Sequence, residues 1–223
     1  TPVSLIIGPL EKIFSSGFRF PESLRRDLNM IDRNSQRLLH LVNQLLDFRK
    51  AEQGAMVMCF SRQNIYQLLC NISDRFKPMM ERNMISFALD CTDKEFEAVI
   101  DPEAFTKIVS NLLTNATKFA KSQIHLSCIP HFQAGTFELR VLDNGPGIPD
   151  DEKEKVFKPF YQTSEGKKQG TGIGLSLVKS LVEAHSGSVS LTDSYPSGVI
   201  FTVNFPINNV ETHCTQGSAS DVL

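Results

Sequence analysis

At 223 residues, 41% hydrophobic and 22% charged, the chain has the make-up of an ordinary globular protein, long enough for one large domain or two modest ones. A net charge of −2 with no Lys/Arg run gives no footprint for direct nucleic-acid binding. Five scattered cysteines (Cys59, Cys70, Cys91, Cys128, Cys214) lack metal-ligand spacing and fit a reducing, cytoplasmic setting, and no stretch reaches the length of a membrane span, so any membrane anchor is expected outside this chain.

Residues 1–54 read as two helices. Val3, Ile6, Leu10 and Ile13 fall at steps of three and four, with Pro2 tolerated near the start and Pro9 an expected kink, and Ser15 to Pro21 reads as a turn. Then Leu24, Leu28, Ile31, Ser35, Leu38, Val42 and Leu45 alternate steps of four and three, a coiled-coil seam flanked by Leu39, Leu41 and Leu46. A two-helix hairpin cannot cover a stripe that wide, so two copies are expected to pair as a four-helix bundle. Packing of the hairpin on the rest of its own chain is the alternative. Gly54 closes the second helix.

From residue 55 to 207 the period changes. Strand-like runs at Met56 to Phe60, Ile85 to Asp90, Ala98 to Asp101, Gln123 to Ile129, Thr136 to Asp143, Ser188 to Ser194 and Val199 to Phe205 alternate with helical patterns. The helices are expected over Ile65 to Glu81, Pro102 to Ala120, a short one near Asp150 to Val156, and Thr171 to Ser186. Helices against a mixed sheet make an α/β sandwich the economical arrangement, giving an α+β chain whose residues 208–223 read as a flexible tail or linker.

Three constellations carry chemistry. On the helix from Pro102, at 100° per residue, Phe105, Ile108, Val109, Leu112, Ala116 and Phe119 form a buried stripe while Asn111, Asn115 and Lys118 fall within about 60° of one another along its border. Two amides and an ammonium suit a neutral oxygen ligand for Mg²⁺ with a lysine reaching a phosphate, although a solvated helix face also accounts for them. On the strand from Thr136, the parity that turns Phe137, Leu139 and Val141 inward also buries the carboxylate of Asp143, which needs a donor such as the amino group of a purine. Asn144-Gly145-Pro146-Gly147 is a tight turn in either case. Finally Gly170-Thr171-Gly172-Ile173-Gly174-Leu175 feeds an apolar periodic run, a Cβ-poor helix start that suits a phosphate or close packing alike. It lacks the Gly-Lys-Ser/Thr of a P-loop and the preceding strand of a dinucleotide fold.

In order, Asn111-Leu-Leu-Thr-Asn115-Ala-Thr-Lys118-Phe119, Asp143-Asn-Gly145-Pro-Gly147, Phe157-Lys-Pro-Phe160-Tyr161 and Gly170-Thr-Gly172-Ile-Gly174-Leu175 resemble the asparagine, first glycine, phenylalanine and second glycine boxes of sensor histidine kinases. Gly187 and Gly198 to Phe201 resemble that family's last box. Residues 1–54 resemble its dimerisation and phosphotransfer helices, and Phe-Lys-Pro-Phe-Tyr-Gln with Leu-Leu-Asp47-Phe48-Arg49-Lys50 resembles hybrid two-component sensors.

The resemblance implies a histidine-kinase-type ATPase fold, with ATP and Mg²⁺ as cofactors. It makes Asn115 the Mg²⁺ ligand and, with Lys118 as a phosphate contact, part of the catalytic machinery. Asn111 neighbours the metal-phosphate site. Asp143 reads the adenine amino group, and Gly145 and Gly147 let the base approach. Phe160 and the lid from Tyr161 to Gln169, with Lys167 and Lys168, close over the phosphates that Gly170, Thr171, Gly172, Gly174 and Leu175 surround. Partners implied are a second copy through residues 1–54 and a response-regulator receiver domain, in the same parent chain if the kinase is a hybrid. Membrane contact is implied through upstream segments alone, as in the cytoplasmic portion of an inner-membrane sensor.

Two departures bear on this. The family's phosphoacceptor histidine sits in a segment resembling His-Glu-x-Arg-Thr-Pro, whereas this sequence opens on Thr1-Pro2, and none of His40, His125, His131, His185 or His213 has that context. The histidine is therefore expected upstream of Thr1, and these residues alone are not expected to autophosphorylate. Thr1 takes the position that in the family assists hydrolysis of the phosphorylated partner. The threonine that often follows the last-box glycine is replaced by Val199. Alternatives left open are a degenerate helical dimerisation module that no longer uses ATP, and an ATPase clamp of the chaperone or topoisomerase kind.

Overall fold

The computed structural model describes residues 4–15, 18, 20–52, 57–163 and 170–208. The chain divides into two compact units, Thr1–Lys50 and Ala51–Leu223.

The first unit is a helical hairpin of α1 (Ser4–Ser15) and α2 (Glu22–Glu52), with Pro9 carried inside α1. Ile7 and Leu10 on α1 are buried, as are Ser35 and Phe48 on α2. The heptad seam splits in two. Its Leu28, Ser35, Val42 line is half-buried or buried, whereas Leu24, Ile31, Leu38 and Leu45, spaced every seven residues, remain 44%, 46%, 48% and 40% exposed. Gly54 lies outside the described residues.

The second unit is an α/β sandwich. Its strands are β1 (Ser61–Asn64), β2 (Ser86–Cys91), β3 (Glu97–Ile100), β4 (Gln123–His131), β5 (Thr136–Asp143), β6 (Ser188–Asp193) and β7 (Val199–Pro206). Its helices are α3 (Ile65–Asp74), α4 (Lys77–Arg82), α5 (Pro102–Phe119) and α6 (Gly174–Ala184). The main sheet runs β2-β4-β5-β7-β6, with β2 parallel to β4 and every other pairing antiparallel, and β1 and β3 form a separate antiparallel pair.

Alternation decides which sheet face is covered. Leu126 and Cys128 of β4, Phe137, Leu139 and Val141 of β5, and Phe201, Val203 and Phe205 of β7 meet α5 and α6 in one continuous core. Phe105 of α5 packs on the stacked pair Phe137 and Phe205, which lie 5.1 Å apart, at ring-centroid distances of 6.4 and 5.6 Å. Each fully buried side chain of this size contributes about 1.5–3 kcal/mol through removal from water.

Several boundaries differ from those read in the sequence. Residues 57–60 are irregular, and the first strand starts at Ser61. Main-chain N–H groups there serve another purpose: that of Cys59 donates to Asp101 Oδ2 at 2.7 Å. The helix expected over Ile65 to Glu81 breaks at Arg75–Phe76, so that α4 starts with a proline in its first turn. The helix expected near Asp150 is a series of turns ending in a 3-10 turn at Lys155–Phe157. The last helix begins at Gly174 rather than Thr171. Cys70, Cys91 and Cys128 carry free thiols, but Cys59 is disulfide-bonded, against the expectation of isolated thiols.

Candidate functional site

Helix α5 starts sharply. Asp101 caps it by accepting the N–H of Ala104 at 2.9 Å, and Pro102 supplies its first residue. Its buried face comprises Ala104, Phe105, Ile108, Val109, Leu112, Leu113, Ala116 and Thr117, while Phe119, expected inside, is half-buried with its ring 4.6 Å from Lys118 Nζ. Asn111, Asn115 and Lys118 follow one another at a turn or less along the border. The Asn111 amide donates to the Lys107 carbonyl at 2.8 Å. The half-buried Asn115 amide has no hydrogen-bond partner among the described residues, so it is available to a ligand.

The glycine loop lies along this border. A Cβ at Gly174 would stand 2.8 Å from Asn111 Oδ1, and one at Gly170 would stand 3.0 Å from Lys118 Nζ. The two ends of the loop therefore bracket the face that holds Asn115. Gly172 adopts φ 71°, where a Cβ would meet the Phe160 backbone at 2.6 Å, and the Phe160 N–H donates to the Gly172 carbonyl at 2.8 Å. Phe160 itself has φ 62° and is 65% exposed. Gln162 Nε2 holds the Gly170 carbonyl at 2.9 Å, and Thr171 Oγ1 accepts the Ile173 N–H at 3.2 Å. Helix α6 then begins with no side-chain cap, leaving its first N–H groups and the positive end of its dipole to the solvent or an anion. Leu175 is half-buried in its first turn.

Asp143 ends β5 on the buried face and is 3% exposed. Burial pushes its carboxyl up to about 6, although the N–H groups of Gly145 (2.8 Å to Oδ1) and Val199 stabilise the charged form. Gly145 is wedged between this carboxylate and the end of α5, since a Cβ there would be 2.7 Å from both Asp143 Oδ1 and the Phe119 carbonyl. Gly198, at φ 119°, lies so close to the Asp143 carbonyl that a Cβ would overlap it at 1.9 Å. The β6–β7 turn is thereby pressed onto the site, and Val199, where the sequence departs from its resemblance, contributes its main chain. Gly147 turns the chain at φ 90°.

Asp143, Gly145, Phe119, Lys118 and Gly170 thus form one connected series, and Asn111 and Gly174 a second contact on the same helix. Asn115 lies between them. A buried acceptor at one end, and a cation, a free amide oxygen and a helix N-terminus at the other, can hold a ligand that carries an amino group and phosphate oxygens. Thr1, Lys167 and Lys168, and residues 164–169 of the expected lid, lie outside the described residues. Sequence reading passed over Asn144, treated there as an ordinary turn residue, and His185, which is fully buried.

Fold and site together define a ligand-binding α/β sandwich preceded by a helical hairpin. Residues 100–209 match the family model described as histidine kinase-, DNA gyrase B-, and HSP90-like ATPase, and residues 1–54 match the His Kinase A (phospho-acceptor) domain. The chain is 33% identical over 230 residues to hybrid signal transduction histidine kinase D of Dictyostelium discoideum, covering 99% of this chain and 15% of that protein. It is 35% identical over 215 residues to the sensor histidine kinase TmoS of Ectopseudomonas mendocina, covering 95% of this chain and 22% of that one. Among solved structures, full-length ShkA in complex with AMPPNP superposes with a TM-score of 0.82 at 22% identity, over 95% of this chain and 44% of that one. The chain belongs to the sensor histidine kinase family. It spans less than a quarter of the length of the two relatives named.

Proposed function

We propose that residues 1–207 form the dimerisation and ATP-binding portion of a two-component protein-histidine kinase. Residues 1–54 are its dimerisation and phosphotransfer helices, 55–207 its catalytic domain, and 208–223 a linker. The observation that carries this reading is the convergence, through the end of α5, of the buried Asp143 carboxylate with Lys118 and the glycine loop.

Asp143 accepts a hydrogen bond from the adenine amino group beside Gly145 and Gly147. Lys118, the N–H groups at the start of α6, and Gly170, Thr171, Gly172, Gly174 and Leu175 hold the phosphates, with Lys167 and Lys168 reaching them from the lid. Phe160, held by Gly172, anchors that lid. Asn115 fits Mg²⁺ as a neutral, unpartnered oxygen donor at the border where the phosphates lie, with Asn111 beside it. When bound, the ion neutralises charge on the phosphate oxygens; this chain's residues supply position and preorganised charge. The phosphoryl group passes to a histidine N-terminal to Thr1 and then to an aspartate of a receiver domain, with Thr1 assisting the attack of water that later removes it from that partner as inorganic phosphate. The length of the relatives supports a parent chain with such further segments. No helix among the described residues is long and apolar enough to cross a membrane.

Calorimetry with Mg-ATP tests the reading. Binding is expected in the parent and at least roughly tenfold weaker in Asp143→Asn, which loses a charged acceptor. Absence of binding in the parent would favour a degenerate helical module instead. These residues alone are expected to incorporate no phosphate, whereas a chain extended upstream to the histidine should.

A further inference from the structure

The side-chain hydrogen bonds of Asn144 run to residues 121–123 and to none of the residues assigned to the pocket, yet this is the most heavily bonded amide in the region. Its Oδ1 accepts three consecutive main-chain N–H groups, those of Lys121, Ser122 and Gln123, at 3.1, 3.0 and 3.0 Å. Its Nδ2 donates to Ser122 Oγ at 3.0 Å. Three donors on one atom fix the orientation of the amide, because nitrogen could accept none of them. The bonds bridge two places far apart in sequence. Residues 121–123 follow directly on Lys118 and Phe119 at the end of α5, and Asn144 follows directly on Asp143 at the end of β5. The segment being held has left the helix, with Ala120 extended at ψ 140°, and enters β4 only at Gln123.

We propose that Asn144 is a positioning residue that sets the span between the base anchor, Asp143, and the phosphate anchor, Lys118. The inference rests on the adenine-nucleotide reading of the pocket. A ligand gripped at two ends gains from both grips when their separation is fixed beforehand, whereas a ligand that uses one grip gains nothing from that fixing. Loss of the clamp therefore weakens ATP while leaving its separate halves untouched. A residue that merely stabilised the fold would alter none of these affinities in protein that remains folded.

The test compares Mg-ATP, adenosine and tripolyphosphate, by NMR titration at pH 8, on the parent, Asn144→Ala and Asn144→Asp. In Asn144→Ala, ATP affinity is expected to fall roughly tenfold, the effect of about 1.4 kcal/mol of lost hydrogen bonding, with adenosine and tripolyphosphate unchanged. Asn144→Asp keeps an acceptor for the three N–H groups and should restore ATP binding at a pH where Asp143 is already ionised. Should Asn144→Ala fail to fold, Asn144→Ser, whose short hydroxyl reaches fewer of the donors, carries the same comparison. Unchanged ATP affinity in the folded variant, or equal weakening of all three ligands, overturns the inference. Failure of the parent itself to bind ATP overturns the nucleotide reading instead.

Discussion

Asp143 is held against its own ionisation. Its carboxyl titrates near 6 in the folded chain against an ordinary value of 3.8, so the folded state binds a proton more tightly than the unfolded one. Its stabilising contribution is complete below the unfolded value and is lost as pH rises through about 6. At pH 7.5 the charged form therefore costs up to about 3 kcal/mol, and Asp143→Asn should raise the melting temperature of the ligand-free protein while weakening ATP. For the parent, ATP affinity should decline as pH falls below about 6, because a protonated carboxyl accepts less well from an amino group. Tripolyphosphate, which lacks the amino group, serves as the control titration. A melting temperature lowered by Asp143→Asn would show that the carboxylate is structural.

His185 pulls the other way. Fully buried, its Nδ1–H donates to the Leu181 carbonyl at 2.7 Å while Nε2 accepts the Asp101 N–H at 3.3 Å, with Phe60 and Phe205 edge-on at 5.3 and 5.5 Å. Burial lowers its pKa, with the nearby Asp101 opposing in part. The unfolded state then takes up the proton first, so stability is lost as pH drops below the unfolded value of 6.5. In an Asp143→Asn background, where the opposing titration is absent, denaturant melts should show stability falling as pH drops from 7.5 to 5.5. His185→Gln should flatten that fall.

At the scale of elements, α5 and α2 each present a face that their own unit leaves uncovered. On α5 the uncovered face is small and polar. Asn115 has no hydrogen-bond partner among the described residues, so Asn115→Ala should leave the unfolding free energy of ligand-free protein within about 0.5 kcal/mol of the parent's and abolish the Mg²⁺ dependence of ATP binding. A collapse in melting temperature would make the amide structural. On α2 the uncovered face is apolar and runs in steps of seven, the spacing that a second helix fills with knobs-into-holes packing. Leu38→Glu, in the middle of that line, should convert a dimer to a monomer in light scattering without altering ATP binding. A monomeric parent would refute the pairing.

For the molecule as a whole, legibility followed the range of the interactions. The heptads of α2, the inward parity of β5 and the border position of Asn111, Asn115 and Lys118 on α5 depend on periodicity alone, and a sequence displays periodicity directly. The break after Asp74, the irregular run at 57–60 and the late start of α6 were not legible in that way. The run at 57–60 gives the Cys59 N–H to the side chain of Asp101, and the start of α6 is set by Gly172 against the Phe160 backbone and Gly174 against Asn111, contacts with residues distant in sequence. The break after Asp74 turns on short-range bonds from Arg75 and Phe76 that leave the apolar period unmarked.

The same division holds for chemistry. By itself the sequence determined which groups were available, an acid facing inward, amides and a cation on one helix edge, glycines before another helix, because residue type and period are local. Tertiary structure decided that Asp143 and the end of α5 meet across Gly145, that the glycine loop brackets Asn115, and that Asn144 fastens the two halves together. Those outcomes rest on contacts between segments more than twenty residues apart, whose closeness no local pattern encodes.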